Sequence, residues 1–150
     1  MDNETESLKE ITLELLRLLL IDGSASVTKD NETLCVSIET SQSGALIGYH
    51  GEGLVSIQLI LNILMHKKTG DWQRVVVNIG DYRQKREEYL KNLALMAASK
   101  AKNTKQPSIL TGLSSFERRI VHMVLAEDKE IESVSEGEGA GRHLVVKLKT

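Results

Sequence analysis

The sequence holds one cysteine, Cys35, so no disulfide can form within the chain and no zinc cluster can be assembled from thiolates. It holds one proline, Pro107, and no low-complexity stretch, which excludes a Pro- or Gly/Ser-rich linker between its parts. Aromatic residues are few: apart from Trp72, the residues Tyr49, Tyr82, Tyr89 and Phe116 stand singly, which argues against broad stacking platforms such as those of an RRM or an OB-fold. The most apolar N-terminal run, LELLRLLLI, contains Glu14 and Arg17, follows an acidic segment and is far shorter than a membrane span. No signal peptide or transmembrane helix is expected, and a reducing cytoplasm fits best. The histidines His50, His66, His122 and His143 show no metal-ligand spacing, so neither a metal nor another cofactor is expected.

What is there reads as globular: 41% of the 150 residues are apolar and 27% charged, enough for one ordinary core or two small ones. The net charge of -2 conceals an uneven distribution. Residues 1–65 carry 3 basic and 10 acidic side chains, residues 66–122 carry 12 and 5, and residues 123–150 carry 4 and 6. A basic middle in an acidic chain points to a localised face for a polyanion rather than a general cationic coat.

The hydrophobic pattern gives an alternating order of elements. Leu8, Ile11, Leu15, Leu18 and Leu19 recur at helical spacing over residues 4–21, and DGSAS ends that helix. SASVTK and ETLCVSIET follow as two strands joined by the turn dipeptide Asp30-Asn31, with Leu34, Val36 and Ile38 on the buried face of the second. In SGALIGYHGEGLVSIQLILNIL, residues 43–64, Gly48 and Gly51 lie where a helix begins, and Leu54, Ile57, Leu61 and Leu64 form its apolar stripe. TGDW breaks that helix and RVVVNIG reads as a buried strand. From Asp81 a second unit begins with a long helix whose Tyr82, Leu90, Leu93, Ala97 and Ala101 form a core stripe and whose other faces are rich in Lys and Arg. A short strand over SILTGL, a capped helix over SSFERRIVHMVLAED and an antiparallel pair, IESVSEG and RHLVVKLK, complete the chain. The expected architecture is α+β: two small α/β modules, residues 1–80 and 81–150, each a three-stranded sheet packed with helices.

A Gly-x-x-Gly turn at a helix start suits an anion. Glycine permits backbone angles closed to other residues and lets a ligand approach the main chain, and the helix N-terminus supplies unpaired N–H groups with partial positive charge. A plain connecting loop is the competing interpretation of so short a motif. The order helix, two strands, Gly-x-x-Gly helix, strand decides for the first: with Ile47, Gly48, Gly51 and Leu54 in LIGYHGEGL, residues 1–80 resemble a KH domain, whose glycine turn clamps single-stranded nucleic acid. The stretch from Ser114 to Lys149 resembles the R-three-H domain, named for an Arg and a His separated by three residues, here Arg118 and His122. The two modules in this order resemble the bacterial Jag (KhpB) family, also called the SpoIIIJ-associated proteins, over roughly residues 24–149.

That resemblance implies a non-catalytic binder of single-stranded RNA, with single-stranded DNA as the second candidate. It also implies a regulatory role linked to cell envelope or division and a small KH-only protein as partner. The expected nucleic-acid contacts are Ile47, Gly48, Tyr49, His50, Gly51 and Leu54 in the first module and Arg118, His122 and Arg142 in the second, with Ser135 and Gly137 lining the nearby turn. Leu46, Ile47, Leu54 and Ile57 are expected as an apolar floor. At ~100° per residue Phe116, Ile120, Met123 and Val124 gather on one side of their helix, with Arg118 and His122 about 40° apart on the opposite, polar side.

Three features depart from the family or compete with it. KH turns usually carry Lys or Arg between the glycines, whereas Tyr49 and His50 give this turn no permanent positive charge, and Glu52 adjoins it. The sequence holds no counterpart of the further small domain that fuller members carry ahead of the KH domain. Neither a P-loop nor a Gly-x-Gly-x-x-Gly is present, and no paired carboxylates accompany Glu52 and His50, so an enzyme is not expected. The competing class is a protein-interaction scaffold that has lost RNA affinity through its uncharged turn.

Overall fold

A computed structural model describes residues 2–150. The chain forms two compact units, one ending at Arg83 and the other covering Gln84–Thr150. Each is a three-stranded sheet packed with helices, giving an α+β architecture.

In the first unit α1 (Asn3–Leu18) precedes a hairpin of β1 (Ser24–Asp30) and β2 (Thr33–Glu39). Two-residue alternation places Leu34, Val36 and Ile38 in the core and leaves Thr33, Cys35 and Ser37 half-buried on the opposite face. Asp30 pairs with Thr33, so the loop residues are Asn31 and Glu32, one position later than the Asp-Asn signal indicates. Asn31 takes a φ of 53°, which asparagine tolerates better than most residues, while Asp30 stays in the ladder.

A short helix, α2 (Ser43–Ile47), then packs against α3 (Glu52–Thr69), and β3 (Arg74–Ile79) returns parallel to β2 at the edge of the sheet. Sequence periodicity did not reveal α2, because five residues offer barely more than one turn. The buried stripe of α3 is Leu54, Ile57, Leu61 and Met65, whereas Leu64 is 37% exposed. The spacing 54, 57, 61, 65 advances close to 3.6 residues per turn, and ending on Leu64 would have drifted off the face.

The outer edge of β3 is closed by polar side chains of α3. Asn62 Oδ1 accepts from the Val75 N–H (3.1 Å), Asn62 Nδ2 donates to the Val75 carbonyl (3.3 Å), and Gln58 Oε1 accepts from the Val77 N–H (3.0 Å). Arg83 Nε donates to the Val77 carbonyl (3.0 Å) and Arg83 Nη2 to Gln58 Oε1 (3.0 Å). An open strand edge would be a template for pairing with another chain, and these bonds occupy its donors and acceptors.

The second unit takes its core from one face of α4 (Tyr82–Thr104), with Leu90, Ala94, Ala97, Ala98 and Ala101 buried. Tyr82 belongs to the first unit's core instead of continuing this stripe, and Leu93 is partly buried. After β4 (Ser108–Leu110) come α5 (Ser115–Leu125), β5 (Ile131–Glu136) and β6 (His143–Leu148). The central β6 pairs antiparallel with both neighbours. Small alanines on α4 leave room for Val121, Leu125, Ile131, Leu144 and Val146.

The α2–α3 corner depends on Gly53, which sequence reading did not single out. A Cβ there would lie 2.3 Å from the Leu46 carbonyl oxygen and 2.9 Å from the Ile47 carbonyl carbon. Gly53→Ala is therefore expected to destabilise the first unit by about 2–3 kcal/mol, the cost of forcing packed backbones apart. Gly44→Ala, where an added Cβ meets nothing within 4 Å, should gain about 0.5–1 kcal/mol of helix stability. Urea denaturation, with hydrogen exchange assigning each change to its unit, checks the pair; equal effects would disprove the close-approach argument.

Candidate nucleic-acid interface

The turn between α2 and α3 reverses the chain through three positive φ angles: 68° at Gly48, 50° at His50 and 85° at Gly51. Gly48 combines that φ with a ψ of -172°, a conformation that essentially only glycine adopts, and a Cβ on it would sit 2.9 Å from the Gly53 nitrogen. Gly51 is buried, and its Cβ would meet the Tyr82 ring at 3.1 Å. Both glycines are thus required by backbone geometry before any ligand is considered.

Tyr49 and His50 project outward, their rings stacked at 3.8 Å between centroids and 23° between planes, and Tyr49 is 70% exposed. Gly51 caps α3 in the left-handed conformation and no side chain caps the helix; of its first N–H groups, that of Glu52 donates back to the Tyr49 carbonyl within the turn. Glu52, in the first turn, adds a negative charge at the same helix end. The apolar floor expected beneath the turn is deeper than its sequence suggests. Leu46, Leu54 and Ile57 are core residues, and Ile47 alone of the four is partly exposed.

In the second unit α5 starts with a reciprocal capping box: the Ser114 hydroxyl accepts from the Glu117 N–H (3.2 Å), and Glu117 Oε2 accepts from the Ser114 N–H (3.0 Å). The other oxygen of Glu117 accepts from Arg86 Nε at 2.7 Å, in an ion pair that ties α4 to α5 and leaves both side chains largely buried. The Arg86 guanidinium also lies 5.0 Å from the centre of the Tyr89 ring.

The helical-wheel assignment for α5 requires correction. Phe116 and Met123 are 70% and 65% exposed, whereas Arg118 is 9% exposed and Val121 and Leu125 are core residues. Ile120 and Val124 pack only partly against the core. Arg118 Nη1 donates to the Leu113 carbonyl (2.8 Å) and Nη2 to the Ser115 hydroxyl (3.1 Å). His122 is half-buried between two serines of β5, with Nδ1 2.6 Å from Ser133 Oγ and Nε2 3.4 Å from Ser135 Oγ. The two residues share a face, as their spacing requires, but each has its own partners. Hydrogen bonds with loop and strand allow an arginine and a histidine to replace apolar residues on an inward face. Arg142 is exposed, and its Nη1 donates to the Gly137 carbonyl (2.8 Å).

The basic middle of the chain is less free than its count of cations indicates. Arg83 bonds within the first unit, and burial pushes its guanidinium below the ordinary value. Lys102 pairs with Asp128 (2.7 Å) and Glu130 (3.5 Å), and the hydrogen bond to Asp128 is the main cause of its raised pKa. Lys100, Lys105 and Arg119 are exposed, with no side-chain partner among the described residues.

Known proteins resemble the chain in sequence over most of its length. Residues 88–148 match the R-three-H domain family. The chain is 31% identical to the RNA-binding protein KhpB of Clostridium symbiosum, over 96% of this chain and 68% of that protein. It is 32% identical to the RNA-binding protein KhpB of Bacillus subtilis, over 86% of this chain and 64% of that protein. With the RNA-binding protein KhpB of Lactiplantibacillus plantarum it shares 29% identity, over 98% of this chain and 46% of that protein. The chain thus spans between about half and two thirds of the length of these relatives.

The inward position of Arg118 changes what its removal should do. Arg118→Ala leaves the buried Leu113 carbonyl without its donor and is expected to cost about 1–3 kcal/mol, more than a surface substitution. Arg118→Lys should recover only part of this, because an ammonium cannot bond both Leu113 and Ser115 as the planar fork does. Chemical denaturation checks the order; a loss below about 0.5 kcal/mol for Arg118→Ala would return the residue to the solvated face.

Proposed function

The chain belongs to the KhpB family, and from that membership we propose that it binds single-stranded nucleic acid, RNA in preference to DNA, as a non-catalytic regulator. The observation that carries this reading is the Gly48–Gly51 turn itself, whose left-handed backbone opens α3 with no side-chain cap and with Tyr49 exposed. Backbone N–H groups there take a phosphate without a charged side chain, and the exposed Tyr49–His50 stack offers a ring to a neighbouring base. The turn acts as a KH clamp on about four nucleotides, with Ile47 beside it and Leu54 holding α3 in place.

In the second unit Arg142 supplies a cationic contact. Arg118 and His122 hold the α5 face on which that contact depends. The relatives are named as RNA-binding proteins, which supports a binder over an enzyme. Among the described residues no helix is long and apolar enough to cross a membrane. The family resemblance adds a cytoplasmic setting and a small KH-only protein as partner.

One observation favours a second reading, a protein-interaction scaffold: Val55, Leu59 and Ile63 on the outer side of α3 are 63%, 60% and 40% exposed. The salt dependence of binding separates the two, because phosphate neutralisation releases counterions and apolar docking does not.

Replacing Tyr49 and His50 together by Asp places two negative charges at the helix start and leaves Gly48, Gly51 and Gly53 untouched. Affinity for a short single-stranded RNA should fall at least several-fold at an unchanged unfolding midpoint, as read by fluorescence anisotropy and thermal melting. Unchanged affinity would remove the turn from the interface. Lys100→Gln with Lys105→Gln should weaken binding to every sequence alike and make the salt slope shallower by roughly one unit for each phosphate no longer neutralised. A constant slope would show that these lysines are only solvated.

A further inference from the structure

At the opposite end of α3 from the glycine turn lies a cavity of about 670 Å³, lined by the β1–β2 hairpin turn with its flanking residues and by the segment that leads from α3 into β3. Its one aromatic wall is Trp72, which is 68% exposed. The indole is stacked on the His66 imidazole at 4.0 Å between centroids and 8° between planes, which favours that orientation. His66 belongs to the last turn of α3 and has a buried Nδ1 without a hydrogen-bond partner, so its ring is placed by the stack and the helix. The loop carrying Trp72 is pinned as well. Gly70, at a φ of 85°, donates its N–H to the His66 carbonyl (2.8 Å), and Thr69 Oγ1 donates to the Met65 carbonyl (3.0 Å).

The charges in the cavity are unequal in availability. Lys29 is engaged by Glu4 (2.7 Å) and Asp2 (3.2 Å), and Glu32 contributes a carboxylate to the same wall. Arg74 is exposed and has no side-chain hydrogen bond or ion pair among the described residues, so of the two cations lining the cavity with Trp72 it is the unpaired one, set against the Glu32 carboxylate. Apart from Trp72 the lining residues are polar, so the cavity is unsuited to an apolar peptide side chain. A planar ring with polar edges and one attached phosphate fits: the ring stacks on Trp72 and Arg74 takes the phosphate oxygens.

We propose that this cavity is a second nucleotide subsite, in which a base of the same bound strand stacks on Trp72 and its phosphate is held by Arg74. The inference rests on the RNA-binding reading above but uses none of the residues of the glycine turn. The 18 residues of α3 separate the two places by roughly 27 Å at 1.5 Å per residue. The glycine turn clamps about four nucleotides of its own, so only a longer strand engages both places.

Trp72 is the sole tryptophan, so its emission reports this cavity alone. The test titrates the full chain with a mixed-sequence twelve-nucleotide RNA, a tetranucleotide and adenosine monophosphate, following tryptophan emission and, with labelled strands, anisotropy. The twelve-nucleotide strand should quench emission with the same midpoint as its anisotropy. Trp72→Ala should weaken that strand at least fivefold, Trp72→Phe should restore part of the affinity, and tetranucleotide affinity should stay constant. Arg74→Gln should make the salt slope for the long strand shallower by about one unit.

If the long strand binds by anisotropy while emission stays flat and Trp72→Ala binds like the parent, the subsite is overturned and the glycine-turn reading stands. Quenching by adenosine monophosphate as strong as by the strand would make this a free-nucleotide pocket and also overturn the proposal. No binding of any RNA by the parent chain would overturn both readings. A thermal melt of Trp72→Ala, expected to match the parent because the side chain is largely exposed, keeps a folding defect apart from a binding defect.

Discussion

The contact between the backbones of α2 and α3 at Gly53 is the constraint on which the first unit's site depends. Only a residue without a Cβ lets the Leu46 carbonyl come so close, and this proximity fixes how the chain must turn between the two helices. The turn then has to pass through left-handed angles at Gly48, His50 and Gly51, which sends Tyr49 and His50 outward and leaves α3 without a side-chain cap. The same approach drives Leu46 and Leu54 into the core, so the exposed turn rests on residues that cannot shift without opening the unit. A binding geometry made of backbone is thereby held by packing and needs no charged side chain of its own.

In the second unit the corresponding role falls to Glu117. One carboxylate oxygen closes the capping box of α5 while the other holds Arg86 of α4, so a single side chain sets both where the helix begins and how it sits against its neighbour. A buried ion pair of this kind contributes little net stability over an apolar pair, but losing one partner would leave the other charge uncompensated. Arg118 and His122 extend the arrangement along the same helix, toward the preceding loop and toward β5.

Alternating strands were the most legible part of the sequence, because Leu34, Val36 and Ile38 can share a face in only one way. The α3 stripe was legible except at its end, where a small error in period selects Leu64 instead of Met65. On α5 periodicity correctly put Arg118 and His122 on a common face and then assigned that face to solvent. Phe116, Ile120, Met123 and Val124 form an equally plausible apolar side, and the hydrogen bonds that make an arginine and a histidine acceptable inside come through the fold, from Leu113 and Ser115 to Arg118 and from the β5 serines to His122. Gly53 was invisible for a related reason: inside a helical stretch a glycine carries no mark of which backbone will approach it. Gln58 and Asn62 read as ordinary polar helix positions until β3 is placed beside them.

The charge pattern gains a physical meaning once these bonds are known. A count along the sequence treats Arg83, Arg86 and Arg118 as parts of a basic face, yet each holds structure together, and Lys102 is bound by two carboxylates. Arginine's planar fork suits it to such fixed bonds, whereas the flexible lysines at 100 and 105 extend into water. In an RNA-binding reading the two kinds of contact therefore come from different groups. The turn at Gly48–Gly51 supplies directed donors without permanent charge, so its contribution should vary little with salt. Counterion release must come mainly from the exposed cations beyond it, and the strength and the salt sensitivity of binding then have separate structural origins.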